Sequence, residues 1–207
     1  MATDLILICH GQALQREGNH LFGWWANMPL SPRGKQQAIL IGERLKSDFD
    51  ICTIYTSPQK RAHETAHIVS QCVKGTPVVD HALRELDSGE LATLTYEEAR
   101  TRYPEVVEGH EIDRIPGGES YADMHRRVTH TINRLIRQNP DGQIACITHG
   151  GPIVAYLRAF MGYAPEQANK PHFLCNIASM HHIQVDSDSY SMVVSLNDIA
   201  HLAGLPV

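Results

Sequence analysis

Two short segments of this chain end an apolar run in His-Gly: L-I-L-I-C-H-G-Q-A, from Leu5 to Ala13, and A-C-I-T-H-G-G-P, from Ala145 to Pro152. Such a run reads as a buried strand, and glycine lets the backbone turn sharply and approach a ligand closely. In a parallel α/β sheet, ligands bind at the carboxyl ends of strands. The pattern therefore predicts that His10 and His149 meet at one sheet edge, from opposite ends of the chain. Two converging imidazoles make a candidate site. Two other chemistries use the same residues. Cys9, His10 and His149 have the ligand types of a zinc site, but no fourth ligand is identifiable. Cys9 to Arg16 spells C-x6-R, whereas a cysteine phosphatase needs C-x5-R and a helix-start cradle. Neither is favoured.

The elements that must position these residues alternate between strand and helix patterns. Residues 4–9 read as a central strand, and Gly18 to Asn27 as a loop carrying Trp24-Trp25. Ser31-Pro32 gives an N-cap and a proline at the first helical position, for a helix to about Ser47. A strand follows over 51–56, and Ser57-Pro58 opens a second helix to about Cys72. Val78-Val79 is a short strand leading to Glu85. The polar stretch 87–115 holds one helix, Tyr96 to Tyr103, stopped by Pro104, and reads as a cap insertion over the sheet edge. Ser120 starts a long amphipathic helix through Arg137, with Met124, Val128, Ile132 and Leu135 inward. A turn at Asn139 to Gly142, a strand over 143–148, a helix over 152–161 and β segments near 177–186 and 190–196 follow. The last ten residues read as a surface tail. The expected fold class is α/β: a single three-layer α/β/α domain over 1–207, with a mainly parallel central sheet and a small cap insertion.

Composition narrows the function classes. A chain of 207 residues buries a sizeable core, and 43% hydrophobic with 20% charged residues is ordinary for a globular protein. No apolar run reaches the roughly 18 residues of a membrane helix, and M-A-T-D lacks the basic start of a signal peptide. Five scattered cysteines, at 9, 52, 72, 146 and 175, argue against a disulfide framework, so a cytoplasmic location is the default. A net charge of −5 argues against nucleic acid as a partner. Of thirteen histidines, His67, His181, His182 and His201 read as surface or packing residues.

Further motifs fall in register between the two His-Gly segments. Gly23 to Ala38 reads G-W-W-A-N-M-P-L-S-P-R-G-K-Q-Q-A. Ser57, Arg61, Ala62, Thr65 and Ala66 spell S-x-x-x-R-A-x-x-T-A, then come Leu83-Arg84-Glu85 and Pro116-Gly117-Gly118-Glu119-Ser120. This succession resembles the histidine phosphatase (phosphoglycerate-mutase-like) superfamily along nearly the whole chain. Single matches of this kind occur by chance, whereas all of them in order are specific. The chain departs from the family pattern at its first motif. Cys9 stands for an arginine that binds phosphate and Gln12 for a glutamate. Arg16 stands where many members have asparagine, and Asn27 for a common aspartate.

The resemblance implies a small phosphorylated substrate and no metal or cofactor. His10 would be the nucleophile, becoming phosphohistidine, and His149 and Arg61 would hold the equatorial oxygens. Glu85 would protonate the leaving alcohol and then help water attack, although Glu90, Glu97 and Glu98 lie near it in the chain. Cys9, Arg16, Gly23, Arg61 and Gly150 would line the phosphate and substrate. A thiol carries no fixed positive charge and cannot fork onto two oxygens. Losing one charge-assisted hydrogen bond costs roughly 1.5–3 kcal/mol, and a transition-state contact about 10²–10³ in rate. Arg16 could return a guanidinium to the phosphate, or lie in solvent. The expected function is therefore phosphomonoester hydrolysis weakened at Cys9. The alternatives are a degenerate member that binds a phosphorylated ligand or protein partner, and a fold recruited to another reaction. The short segment between Glu85 and Pro116 resembles the small phosphatase branch more than the longer mutases. No membrane partner is expected, and a homodimer is compatible with the sequence.

Overall fold

A computed structural model describes residues 2–14, 27–73, 75–108, 115–166, 172–186 and 190–205. Strand β1 (Ala2–Cys9) is followed by α1 (Pro32–Asp48), β2 (Ile51–Thr56), α2 (Lys60–Cys72) and β3 (Val78–Val79). Then come α3 (Tyr96–Arg102), α4 (Pro104–Glu108), α5 (Tyr121–Gln138), β4 (Gln143–Thr148), α6 (Gly150–Phe160), β5 (Met180–Asp186) and β6 (Met192–Asp198). The six strands form one sheet in the order β3-β2-β4-β1-β5-β6. The first four run parallel, and β5 and β6 add antiparallel.

The β1 run L-I-L-I is buried throughout because both faces of the sheet are covered, which explains why it does not alternate with polar residues. Leu5, Leu7 and Cys9 pack with Val128 and Ile132 of α5 and Ile153 and Leu157 of α6. Ile6 and Ile8 point the other way, against Ile41 and Leu45 of α1 and Ala66 and Val69 of α2. This period of two makes the sheet the middle of three layers. Each Leu or Ile so buried contributes about 1.5–3 kcal/mol.

Where the chain departs from its local signals, long-range contacts explain it. At α1 the local signal prevails: Ser31 Oγ accepts from Gly34 N at 3.0 Å, with Pro32 as the first helical residue. Helix α2 starts at Lys60 rather than at Ser57-Pro58, because Ser57 N instead donates to Ile147 O (3.1 Å), extending the strand ladder. Pro104 ends α3 and also begins α4, a first-turn position that tolerates proline. Around this pair Leu91, Leu94, Ala99 and Ile115 form a small cluster of their own, bridged to the main core by Leu86. β5 begins at Met180, after Ala178 at φ 61° turns the chain. The predicted surface tail instead carries a 3₁₀ turn, Ala200–Leu202, that packs Leu202 on the core and donates from His201 Nε2 to Ala178 O at 3.0 Å. No helix among the described residues is long and apolar enough to cross a membrane.

Candidate active site

β1 and β4 are neighbours in register, Cys9 opposite Thr148, so the residues leaving their carboxyl ends lie side by side. The His10 and His149 rings sit 5.0 Å apart, centroid to centroid, at 64°. The His10 backbone is pinned on two sides: its N–H donates to Thr148 O (3.1 Å) and its carbonyl accepts from Ala178 N (3.0 Å). His10 Nδ1 lies 2.7 Å from Gly11 O. A carbonyl only accepts, so Nδ1 carries the proton and Nε2 keeps its lone pair. That lone pair accepts from Arg61 Nε at 2.9 Å. Burial, reinforced by the Arg61 charge and opposed by the bond to Gly11, lowers His10 to about 3. It is a neutral imidazole with a defined free nitrogen.

The segment entering α2 supplies one contact after another. Ser57 Oγ is 2.8 Å from His149 Nε2, and Gln59 Oε1 accepts from Glu85 N at 2.9 Å. Thr65 Oγ1 accepts from Gly11 N (3.1 Å) and donates to Arg61 O (2.7 Å). The late start of α2 has its reason here: the Ser57 and Gln59 side chains serve the site instead of capping the helix. Arg61 is 1% exposed, yet its Nη1 and Nη2 have no partner among the described residues, and neither has His149 Nδ1. Leaving a buried donor unsatisfied costs about 1–3 kcal/mol, more for a charged group. The arrangement suits an anion. Burial, then the neighbouring His10 and Arg61, holds His149 well below the usual histidine range.

Glu85 faces the same site. Its Oε1 accepts from Leu86 N (2.9 Å) and its Oε2 from Gly151 N (3.2 Å). Burial raises its pKa against those two bonds. The competing carboxylates are engaged elsewhere: Glu90 accepts from Tyr103 Oη, Glu98 closes a capping box with Thr95, and Glu97 is exposed. Arg127 holds the Glu85 segment from beneath. Its Nη1 donates to Ala82 O (2.5 Å) and Arg84 O (3.0 Å), while Nε and Nη2 fork onto Glu119 at 2.7 and 2.6 Å.

The glycines work by lack of bulk rather than by a special turn, for neither Gly11 nor Gly150 has a positive φ. A Cβ on Gly11 would lie 2.5 Å from Gly34 O, and one on Gly151 would lie 2.1 Å from Glu85 Oε1. At Gly150 a Cβ would meet only ordinary contacts, 3.9 Å from Cys175. Gly150 is the first residue of α6, whose opening N–H groups have no partner within a helix.

The structure thus brings Cys9, His10, Arg61, Glu85, His149 and Gly150 together. Arg16, Gly23 and the Trp24-Trp25 pair lie outside the described residues. Cys9 is buried, and Cys175 packs against the cluster that contains it. The zinc alternative finds no support: among the described residues no three His, Cys, Asp or Glu side chains are grouped to hold a metal ion. Gln59, Arg127, Gly151 and Cys175 escaped sequence reasoning as site residues. Gln59 and Gly151 adjoin recognised motifs, which was the only available signal.

The family model of the histidine phosphatase superfamily (branch 1) matches residues 5–198. The chain belongs to that superfamily. Among histidine phosphatase relatives, the phosphoglycerate mutase-like protein 4 of Arabidopsis thaliana is 30% identical, over 97% of this chain and 87% of its own length. A 2,3-bisphosphoglycerate-dependent phosphoglycerate mutase of Brucella anthropi is 32% identical, over 90% of this chain and 95% of its own. Mutases of this chain's size therefore exist, and length does not separate them from phosphatases. In fold the chain is similar to YhfR of Bacillus stearothermophilus, with TM-score 0.80 and 25% identity, covering 97% of this chain and 100% of that one. The fold also matches a mycobacterial glucosyl-3-phosphoglycerate phosphatase, with TM-score 0.77 and 23% identity, covering 95% of this chain and 99% of that one.

Proposed function

We propose that this chain hydrolyses a small phosphomonoester through a phosphohistidine at His10. One observation carries the reading: a buried guanidinium donates to Nε2 of a neutral histidine while both its terminal nitrogens lack partners among the described residues. Arg61 Nη1 and Nη2, His149 Nδ1 and the Gly150 N–H receive the phosphoryl oxygens, with His10 Nε2 in line behind the phosphorus. As phosphate draws the Arg61 guanidinium onto its oxygens, the bond from Arg61 Nε to His10 Nε2 breaks, and the freed Nε2 lone pair forms the N–P bond as the P–O bond to the alcohol breaks. Glu85, whose proton affinity burial raises, gives its proton to the departing oxygen. The resulting carboxylate then takes a proton from water, whose oxygen attacks phosphorus, and the N–P electron pair returns to His10. Residues 87–108, with their separate small cluster, serve as a substrate cap over this edge. Cys9 offers a thiol where the family pattern has a cation, so turnover is lower by about 10²–10³ than a complete clamp would give.

A second reading is favoured by the curated relatives at 30% and 32% identity, which carry mutase names. In it, phosphohistidine passes its phosphoryl group to a second hydroxyl instead of to water. One experiment decides between them: a panel of phosphomonoesters, including 2- and 3-phosphoglycerate, followed for both phosphate release and isomer interconversion. Hydrolysis predicts phosphate release that His10→Ala abolishes. Interconversion without release supports the mutase. Turnover unchanged in His10→Ala overturns both, and binding without turnover identifies a degenerate member.

A further inference from the structure

Two thiols from opposite ends of the chain meet beside His10. Cys9 closes β1, and Cys175 lies in the loop before β5. That loop is laced to β1: Cys9 N donates to Ser179 O and Ala178 N to His10 O, both at 3.0 Å. Cys175 packs against the cluster of buried residues that contains Cys9. A relay ends on its sulfur. Asn197 N donates to His181 Nδ1 (3.2 Å), so the His181 proton sits on Nε2, which faces Ser179 Oγ at 3.2 Å. The Ser179 hydroxyl keeps its own proton for Cys175 Sγ, 3.7 Å away. Cys9 is buried, whereas Cys175 is half-buried. Cys175 also borders the first residue of α6, since a Cβ on Gly150 would lie 3.9 Å from its Sγ.

We propose that Cys175 and Cys9 form a peroxide-oxidisable dithiol site that closes into a disulfide at the rim of the His10 pocket. The oxidant is a peroxide. The Cys175 thiolate attacks one peroxide oxygen; an S–O bond forms, the O–O bond breaks, and the other oxygen leaves as water or alcohol after taking a proton. Cys9 then gives up its proton and attacks the Cys175 sulfur, forming the S–S bond and releasing the sulfenic oxygen as water. Two thiols and one peroxide give a disulfide, one water and one water or alcohol. The asymmetry of the pair assigns the roles. The neighbouring Cys9 thiol, with His181 and Ser179, lowers Cys175 to about 5 against burial. The neighbouring Cys175, with burial, pushes Cys9 up, so Cys175 attacks and Cys9 resolves. Both sulfurs lie near one carboxylate, Glu85, and Cys9 also lies near the Arg61 cation, whereas His181 is the titratable neighbour of Cys175. The S–S bond would tie the residue before His10 to a different loop. A displacement of about 1 Å at a reacting group can cost roughly 10²-fold in rate. The expected loss of turnover rests on the phosphatase reading; the disulfide itself does not.

The test exposes the whole protein to hydrogen peroxide, alkylates free thiols, and maps peptides by mass without reduction. The expected result is one cross-linked pair containing Cys9 and Cys175, lighter by two hydrogens than the separate peptides, with Cys146 still reduced. In Cys175→Ser the same exposure should leave Cys9 alkylatable. Phosphate release from p-nitrophenyl phosphate should fall roughly 10²-fold on oxidation and return with dithiothreitol. Both thiols remaining alkylatable, or Cys9 pairing with another cysteine, would overturn the site. A cross-link with undiminished turnover would overturn its control of the reaction. If the reduced protein hydrolyses nothing, the phosphatase reading fails, while the cross-link alone still decides the dithiol.

Discussion

At the residue scale, the central feature is a histidine kept neutral and oriented. Gly11 O fixes the tautomer of His10, and Arg61 occupies the nitrogen that must attack. Glu85 has the opposite assignment, a carboxyl whose proton affinity burial raises. The division of labour predicts a dependence on the leaving group. Glu85→Gln should slow hydrolysis of alkyl phosphates by about 10²–10⁴-fold, the usual contribution of a general acid. It should affect p-nitrophenyl phosphate far less in the first step, because nitrophenolate departs without a proton. Steady-state kcat/KM on the two substrates measures this. Equal losses on both would remove the acid role from Glu85.

At the scale of elements, the site is a product of where strands end and of what ties the loops down. The Arg127 fork onto Glu119, with its bonds to Ala82 O and Arg84 O, holds the segment before Glu85. Arg127→Ala should therefore lower kcat on alkyl phosphates more than on p-nitrophenyl phosphate, with KM little changed, as befits a positioning residue. A uniform loss on both substrates would mark a merely structural role. Much of this scale was legible in the sequence. β1, β4 and the Ser31-Pro32 start of α1 are set by local apolar runs and local capping, which neighbouring residues reveal. The gathering of His10, Arg61, Glu85 and His149 followed from ordered motifs. Contacts between distant residues were not legible. Gln59 to Glu85, Arg127 to Ala82, and Cys9 to Cys175 depend on how separate loops meet above one sheet edge. The same cause delayed α2, whose apparent Ser57 cap is spent on His149. It also drew the C-terminal turn onto the core.

At the scale of the whole molecule, burying neutral imidazoles links stability to pH. His10 is lowered to about 3 from the ordinary 6.5, so below 6.5 the unfolded chain binds a proton that the folded chain refuses. The stabilisation is fully present above about 6.5 and is lost as pH falls toward 3. His149 and His125, lowered chiefly by burial, add to the same trend. Glu85, raised by burial, acts oppositely, its contribution being lost as pH rises through its folded value. Urea unfolding should show stability falling from pH 6.5 to 4.5. His10→Ala should lower that slope by one proton, about 1.4 kcal/mol per pH unit. A stability that stays flat or rises on acidification would contradict the burial of neutral histidines. The central claim, covalent catalysis at His10, is tested most directly by quenching the enzyme in base during turnover of a phosphomonoester and locating any bound phosphoryl group by peptide mass. One acid-labile, base-stable phosphoryl group is expected on His10 in the parent chain and none in His10→Ala. Sustained phosphate release with no phosphohistidine at that residue would contradict it.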